Sequence, residues 1–176
     1  MARDISFLVK DIKDATVRAA REACVEIMNG LAEEGPAHTG RFSSAWYALP
    51  SGATPGGARA EGQIYKYSLR NVPKTRFAST GIYRIVNGMS YADEALDLVP
   101  HTYEEFTDVE PLKPRIYGTR DDGNTRGEVY GGGNNWRTAP ADWWPTFNSG
   151  GRMKELLAKG ANRGFLTFGK AQGFGR

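Results

Sequence analysis

The side chains with the greatest chemical potential in this sequence are its histidines, its cysteine and a run of carboxylates. His38 and His101 are the two histidines among 176 residues; each lies beside acidic or hydroxyl residues, but neither makes the ligand spacing of a zinc site. Cys24 is the single cysteine, which excludes an internal disulfide and a cysteine-based zinc cluster. Because Cys24 falls on the apolar side of a predicted helix, we interpret it as a small buried hydrophobe rather than a reactive thiol.

An acidic segment beyond the middle of the chain comes closest to the composition of a cation site. Its carboxylates are Asp93, Glu94, Asp97, Glu104, Glu105, Asp108 and Glu110. The segment lacks the alternating ligand spacing and the fixed glycine of a calcium loop. We therefore predict a solvated or interface-facing acidic surface and no bound metal.

Two further patterns have the composition of catalytic or phosphate-binding loops but not their order. Ser43 and Ser44 follow a glycine-containing turn, yet no Gly-x-Ser-x-Gly elbow surrounds them. The glycines at 131–133 lack the lysine and hydroxyl residue of a phosphate loop. The sequence thus predicts a protein that is not an enzyme and takes no cofactor.

The element that must position the remaining residues is a long helix at the N-terminus. From Ile5 to Leu31, apolar residues recur at spacings of three and four, which is one face of a helix. All 22 glycines lie at or after Gly30. We read Asn29 and Gly30 as a point where the helix could fray, and Gly35 with Pro36 as its end.

The remainder reads as short elements joined by turns, which gives an α+β fold: a long N-terminal helix packed on a small antiparallel β-sheet with long loops, and a short C-terminal helix. The predicted segments are strands at 41–49, 63–69 and 81–87, a flexible loop at 50–62, a hairpin turn at 121–124, an irregular stretch bracketed by Trp136 and Trp143–Pro145, and a short helix at 152–162. We predict a single domain over 1–163 and a glycine-aromatic tail over 164–176.

Overall composition narrows the class of protein. Hydrophobic residues make up 40% of the chain and the formal net charge is +3, too weak to indicate nucleic-acid binding by itself. No apolar run approaches the roughly 18 residues that a membrane span needs. Tyr65, Lys66 and Tyr67 interleave aromatic and basic side chains, as single-strand binders do, although core packing explains them better.

Three motifs in order resemble a known family, the HK97 gp10-like neck and tail-completion proteins of tailed bacteriophages. After the long helix, Pro36, Thr39, Gly40 and Phe42 match that family's Pro-x-x-Thr-Gly-x-Leu segment, which a strand follows. Asn87, Tyr91 and Ala92 match its Asn-x-x-x-Tyr-Ala, and Trp143, Trp144, Pro145 and Phe147 resemble its ending before a final helix. The sequence departs from the family at His38, where an acidic residue is usual, and at Ala45, where a serine is common.

The resemblance implies a structural protein of the virion, assembled in the cytoplasm of a bacterial host. Such a protein forms a ring, expected to be a hexamer, at the head–tail junction, between head-completion proteins and the tail terminator or tube. Genomic DNA would pass through its lumen without specific binding. A ring built this way uses two different patches per subunit.

We predict that aromatic and proline residues late in the chain supply the contacts between subunits, together with the 50–62 loop. These residues are Trp143, Trp144, Pro145, Phe147, Phe165, Phe168 and Phe174. For Trp143, Trp144 and Pro145, packing in the chain's own core is an equally open alternative. The alternative functions are a tail terminator that caps the tail tube and a nucleic-acid-binding protein. An enzyme using His38 or the Glu104 and Glu105 pair is the weakest alternative.

Overall fold

The structure is a computed structural model of the 176-residue chain, and it describes residues 5–35, 40–60, 65–90, 92, 96 and 143–171. Its elements in chain order are helix α1 (Ile5–Glu34), helix α2 (Arg41–Ser44), strand β1 (Trp46–Pro50), short 3-10 helices at Leu69–Asn71 and Lys74–Arg76, strand β2 (Tyr83–Asn87), helix α3 (Trp143–Ser149) and helix α4 (Arg152–Ala171). This confirms the predicted α+β class. The predicted turns and acidic segment between 93 and 135, apart from Leu96, lie outside the described residues.

Helix α1 is the predicted N-terminal helix, and its 30 residues extend about 45 Å at about 1.5 Å per residue. It passes through Asn29 and Gly30 without fraying. Gly30 is a packing position, because a Cβ there would overlap Leu156 and approach Phe147 to 3.2 Å. The helix continues past Gly30 until Glu34.

Within the described residues the sheet consists of β1 and β2, which pair antiparallel with Trp46 opposite Asn87 and Pro50 opposite Tyr83. The strand predicted at 81–87 is therefore confirmed over Tyr83–Asn87. The strand predicted at 41–49 is wrong in its first half, where Arg41–Ser44 form the helical turn α2. The Ser43 hydroxyl donates to the Gly40 carbonyl, a local bond that favours the turn over a strand.

The predicted strand at 63–69 is also wrong where the structure describes it. The Asn29 side chain donates to the Tyr67 carbonyl at 3.2 Å and accepts from the Tyr67 amide at 2.7 Å. Both backbone groups of Tyr67 are thus bonded to an amide side chain of α1 instead of a neighbouring strand. Such an amide satisfies the hydrogen-bonding groups of a buried backbone as a neighbouring strand would.

Helix α4 starts at Arg152, as predicted, and runs beyond Asn162 to Ala171. It lies antiparallel to α1, with Gly160 over Ala23 and Gly164 over Ala19. A Cβ at either glycine would lie 2.5 Å from the Cα of the alanine opposite. These glycines favour the helix here because they let two backbones approach closely, which offsets their poor helix propensity.

The core lies between α1, the sheet and the first turns of α3 and α4. Its largest fully buried side chains are Trp46, Phe147, Met28, Leu31 and Val72. Cys24 belongs to this core, in agreement with its interpretation as a buried hydrophobe.

Candidate functional site

The turn after α1 presents the first of the motifs that carry the resemblance. Gly40 has a φ of 79°, a left-handed conformation that favours glycine, and it precedes α2 directly. Phe42 is buried, with its ring edge-on to Trp46 at 5.4 Å and to Trp143 at 6.4 Å between centroids. The turn thus anchors the chain in the core at the start of the sheet. Pro36, His38 and Thr39 lie outside the described residues.

The second motif meets the first across the sheet. The Asn87 side chain donates to the Phe42 carbonyl at 3.0 Å, and its oxygen accepts from the Met89 amide at 3.0 Å. Ala92 is buried in the same core as Phe42, while Tyr91 lies outside the described residues. Residues 45 positions apart in the chain therefore form one hydrogen-bonded unit, which we call the motif junction (Gly40, Phe42, Asn87 and Ala92).

The loop after β1 is bound to the end of α2 and to β1 through Ser44 and Arg59. The buried Ser44 hydroxyl donates to the Ala60 carbonyl at 2.8 Å and accepts from the Arg59 and Ala60 amides. The Arg59 guanidinium donates to the Trp46 carbonyl at 2.6 Å and lies 3.6 Å from the centre of the Tyr47 ring. The loop has no regular structure, but these bonds hold residues 59 and 60 against the sheet. Its composition predicted flexibility because the sequence does not show these distant partners.

The aromatic-basic segment around Tyr67 belongs to the interior. The Tyr67 hydroxyl donates to the Ser43 carbonyl at 2.9 Å and accepts from the Trp46 amide at 2.8 Å. Burial raises the pKa of this phenol. Tyr65 packs edge-on against Tyr67 with ring centroids 4.9 Å apart. Tyr67 therefore offers no exposed face on which a base could stack.

The aromatic residues of α3 divide between core and surface. Trp143 and Phe147 are core side chains that close the end of α1 near Gly30 and Gly35. Trp144 is half-buried, and Pro145 is exposed. Since two of these predicted interface side chains are taken up inside the chain, only Trp144 and Pro145 present surface to a neighbour. Trp143–Ser149 form helix α3, and Pro145 stands in its first turn, where an amide proton has no intrahelical partner. The stretch predicted to be irregular, between Trp136 and Trp143, lies outside the described residues.

The outer surface of α4 carries exposed apolar side chains, and one of them, Phe165, is a predicted interface residue. Leu157, Phe165 and Leu166 are each at least half exposed, and we call them the outer α4 patch. Phe168 is half-buried, and Phe174 lies outside the described residues. The sequence signal for this patch was the spacing of eight between Leu157 and Phe165, which places both on one side of a helix once the helix is known to pass Gly160.

A second exposed apolar surface occupies the start of α1. Phe7, Leu8, Val9 and Ile12 have 59%, 56%, 46% and 56% of their surfaces exposed, and we call them the distal end of α1. The periodicity assigned Leu8 and Ile12 to the buried face of the helix. Their spacing does place them on that face of α1. Within the described residues, however, α4 extends only to Ala171 and leaves this part of the face exposed.

Charges also join α1 and α4. Arg152 pairs with Glu34 at 2.6 Å, Lys159 with Glu26 at 3.0 Å, and Arg163 with both Glu22 and Glu26. Burial alone would raise the pKa of Glu26, but hydrogen bonds and charge from Lys159 and Arg163 outweigh it and lower that pKa. Ordered pairs along two antiparallel helices fix their register.

The described residues give little sign of catalytic chemistry. Burial raises the pKa of the Cys24 thiol to about 11, so this group is protonated at neutral pH. In the described part of the chain, His, Cys, Asp and Glu side chains form no group of three or more that would hold a metal ion. His101, Glu104 and Glu105 lie outside it.

Comparison of the chain with family models, curated proteins and solved structures gives no match. Among the residues that the structure describes, no helix combines the length and apolarity that crossing a bilayer requires. The functional assignment therefore depends on the motif junction and on the two exposed apolar surfaces.

Proposed function

We propose that this chain is a structural protein of a tailed bacteriophage virion, which forms a ring at the head–tail junction. In this role it joins the head to the tail and lets genomic DNA pass through its lumen. The ring, expected to be hexameric, contacts head-completion proteins on one side and the tail terminator or tube on the other.

The observation that carries the proposal is the motif junction. The resemblance to neck proteins rested on separate motifs in sequence order, and the Asn87 bond to the Phe42 carbonyl joins two of them. The left-handed Gly40 supports the Thr-Gly segment as a fixed turn rather than a flexible one. Motifs that serve only to hold a helix, a turn and a strand together suit a structural protein.

The two exposed apolar surfaces give further support. Exposed apolar patches of this kind mark sites of protein association. They lie on different helices of one subunit, as the two unlike patches of a ring contact require. Modest net charge also suits a channel through which DNA slides, since many phosphate contacts would bind it strongly.

The test is a phage carrying this gene with an early stop codon, grown in suppressing and non-suppressing hosts. Electron microscopy of the non-suppressed lysate should show filled heads and separate tails. Supplying the intact chain in trans should restore joined particles. Normal infectious particles without the protein would exclude the proposal.

The same lysate separates the neck protein from the tail terminator. Loss of a terminator leaves tails of abnormal length or with altered ends, whereas loss of a neck protein leaves tails of normal length. Cryo-electron microscopy of wild-type particles gives the second criterion, because a terminator contacts the last ring of the tail tube and a neck protein lies nearer the portal.

A further inference from the structure

We infer that the distal end of α1 in one copy of the chain docks on the outer α4 patch of the next copy. The inference rests on the proposed ring and names the surfaces that close it. The occupant of each surface is thus a second copy of this chain.

The first argument is continuity with a contact that the chain already makes. Leu8 and Ile12 precede Ala19 and Ala23 by eleven residues, which is close to three helical turns, so all four share one face of α1. Ala19 and Ala23 pack directly on glycines of the chain's own α4. The face of α1 that binds one α4 therefore continues, exposed and more apolar, toward the N-terminus.

The register of α4 on α1 shows which described residues lie level with one another. Gly164 lies over Ala19 and Gly160 over Ala23, so in this antiparallel register Ala171 falls about level with Ile12. Leu8 lies about one further turn toward the N-terminus. The described part of the chain's own α4 thus ends where the apolar residues of α1 are most exposed.

The second surface, the outer α4 patch, is also made of apolar side chains on a helix. Leu157 and Phe165 lie on one side of α4, with Ala161 between them at spacings of four, and Leu166 adjoins Phe165. Phe165 and Leu166 are turned away from Gly160 and Gly164, which face the chain's own α1, whereas Leu157, seven residues before Gly164, borders that contact. Phe165 and Leu166 thus supply exposed apolar surface on the side of α4 that the chain's own α1 leaves uncovered.

Charge favours α4 as the partner of α1. Helix α4 carries five basic side chains and one acidic one, whereas α1 carries six acidic and four basic. The pairs between Glu34, Glu26 and Glu22 and the basic residues of α4 use this difference within one chain.

The charges at the distal end of α1 disfavour a polyanionic partner. Lys10 and Lys13 alternate there with Asp11 and Asp14, so basic and acidic side chains balance. A nucleic acid or an anionic lipid surface would be recognised by a predominantly basic patch. The balance is that of a protein–protein contact.

The test uses single cysteines placed on the two surfaces, in a Cys24→Ala background. Leu8→Cys and Phe165→Cys are prepared separately, labelled with distinguishable tags, and treated with a short bismaleimide alone and as a mixture. Both positions are at least half exposed, so the variants should fold normally, which circular dichroism checks. Asn148→Cys is the control, since it is exposed on α3 near the other end of α1.

The inference expects covalent dimers in the mixture of Leu8→Cys and Phe165→Cys chains, with at least tenfold less product from either alone or from mixtures with Asn148→Cys. A chain with both cysteines should give a ladder that stops at the ring size. Efficient dimers from Leu8→Cys alone would mean a symmetric contact and would overturn the inference.

Failure of this inference differs from failure of the proposed function. If mass photometry shows a ring but the mixture does not cross-link, the inference is overturned and the ring stands. If the chain is monomeric up to the highest soluble concentration and no mixture cross-links, the docking is overturned as well. The proposed function is then judged by the lysate phenotype alone.

Discussion

The two ends of the α1–α4 helix pair differ although both are rich in apolar residues. At one end, Leu31 is buried in one core cluster with Trp143 and Phe147 of α3, and Arg152 pairs with Glu34. At the other, Ile12 and Leu8 are exposed, the first about level with the described end of α4 and the second about one turn beyond it. Residues of the same type and spacing thus stabilise the chain at one end and are available for association at the other. What decides between the roles is which elements lie opposite, and periodicity alone does not show that.

The sharpest test of this comparison pairs Leu31→Ala with Leu8→Ala. Leu31 is 1% exposed, so its truncation should lower the free energy of unfolding by about 2–5 kcal/mol. Leu8 is 56% exposed, and its truncation should change the free energy of unfolding by less than about 0.5 kcal/mol. Urea titration followed by circular dichroism at low protein concentration measures both values. Similar losses at the two positions would contradict the difference between the ends.

The glycine contact between the helices predicts effects of opposite sign. Gly160→Ala places a methyl group against the Ala23 backbone and should destabilise the chain by about 1–3 kcal/mol. Gly169, nearer the distal end, has open space around it, so Gly169→Ala should stabilise by up to about 1 kcal/mol through helix propensity. Thermal unfolding of the two variants beside the wild type tests this, and stabilisation by both would disprove the close approach.

The ion pairs predict a dependence on pH. The folded-state pKa of Glu26 is lowered from 4.5. The stability that ionised Glu26 contributes to the fold is therefore fully present above pH 4.5 and is lost as the pH falls through the folded pKa. Glu26→Gln should therefore cost about 1–2 kcal/mol at neutral pH and progressively less in acid. Glu34→Gln is the matched control, since water screens its pair with Arg152 at the helix end. Equal losses for Glu26→Gln at neutral and acid pH would count against this role.

The smallest expected effect is a gradient of amide exchange along α1. Amides around Leu8 and Ile12 should exchange faster than those around Met28 and Leu31, because opening the distal end exposes little buried surface. Hydrogen–deuterium exchange at low protein concentration tests this. If copies associate as we infer, protection near Leu8 should rise with concentration while that near Leu31 stays unchanged.

Patterns local to the chain allowed the α+β class, most of α1 and the strand β2 to be predicted. Errors arose where a distant partner overrides the local pattern. Asn29 bonds the backbone of Tyr67 and so prevents a strand, and the Ala19 and Ala23 backbones make Gly164 and Gly160 favourable inside a helix. Neither partner is identifiable from local spacing.

The residues of the candidate site were predicted about as well as the fold. Gly40 and Phe42 were identified from their order after a long helix, and Asn87 from its own motif, but their hydrogen-bonded contact was not foreseen. The late aromatics were assigned to one interface, whereas Trp143 and Phe147 are buried and Phe165 is exposed. Sequence composition gives no means of separating aromatic residues that fill a core from those that contact another chain.

The buried Cys24 gives this protein a built-in measure of its own opening. It is the single thiol of the chain, and its raised pKa, about 11, keeps the thiolate scarce while the core is closed. A thiol reagent added under native conditions should therefore modify the chain at a rate set by how often α1 separates from the core. The mass of the intact chain over time would follow that separation without a mutation or a probe, and would show whether association slows it.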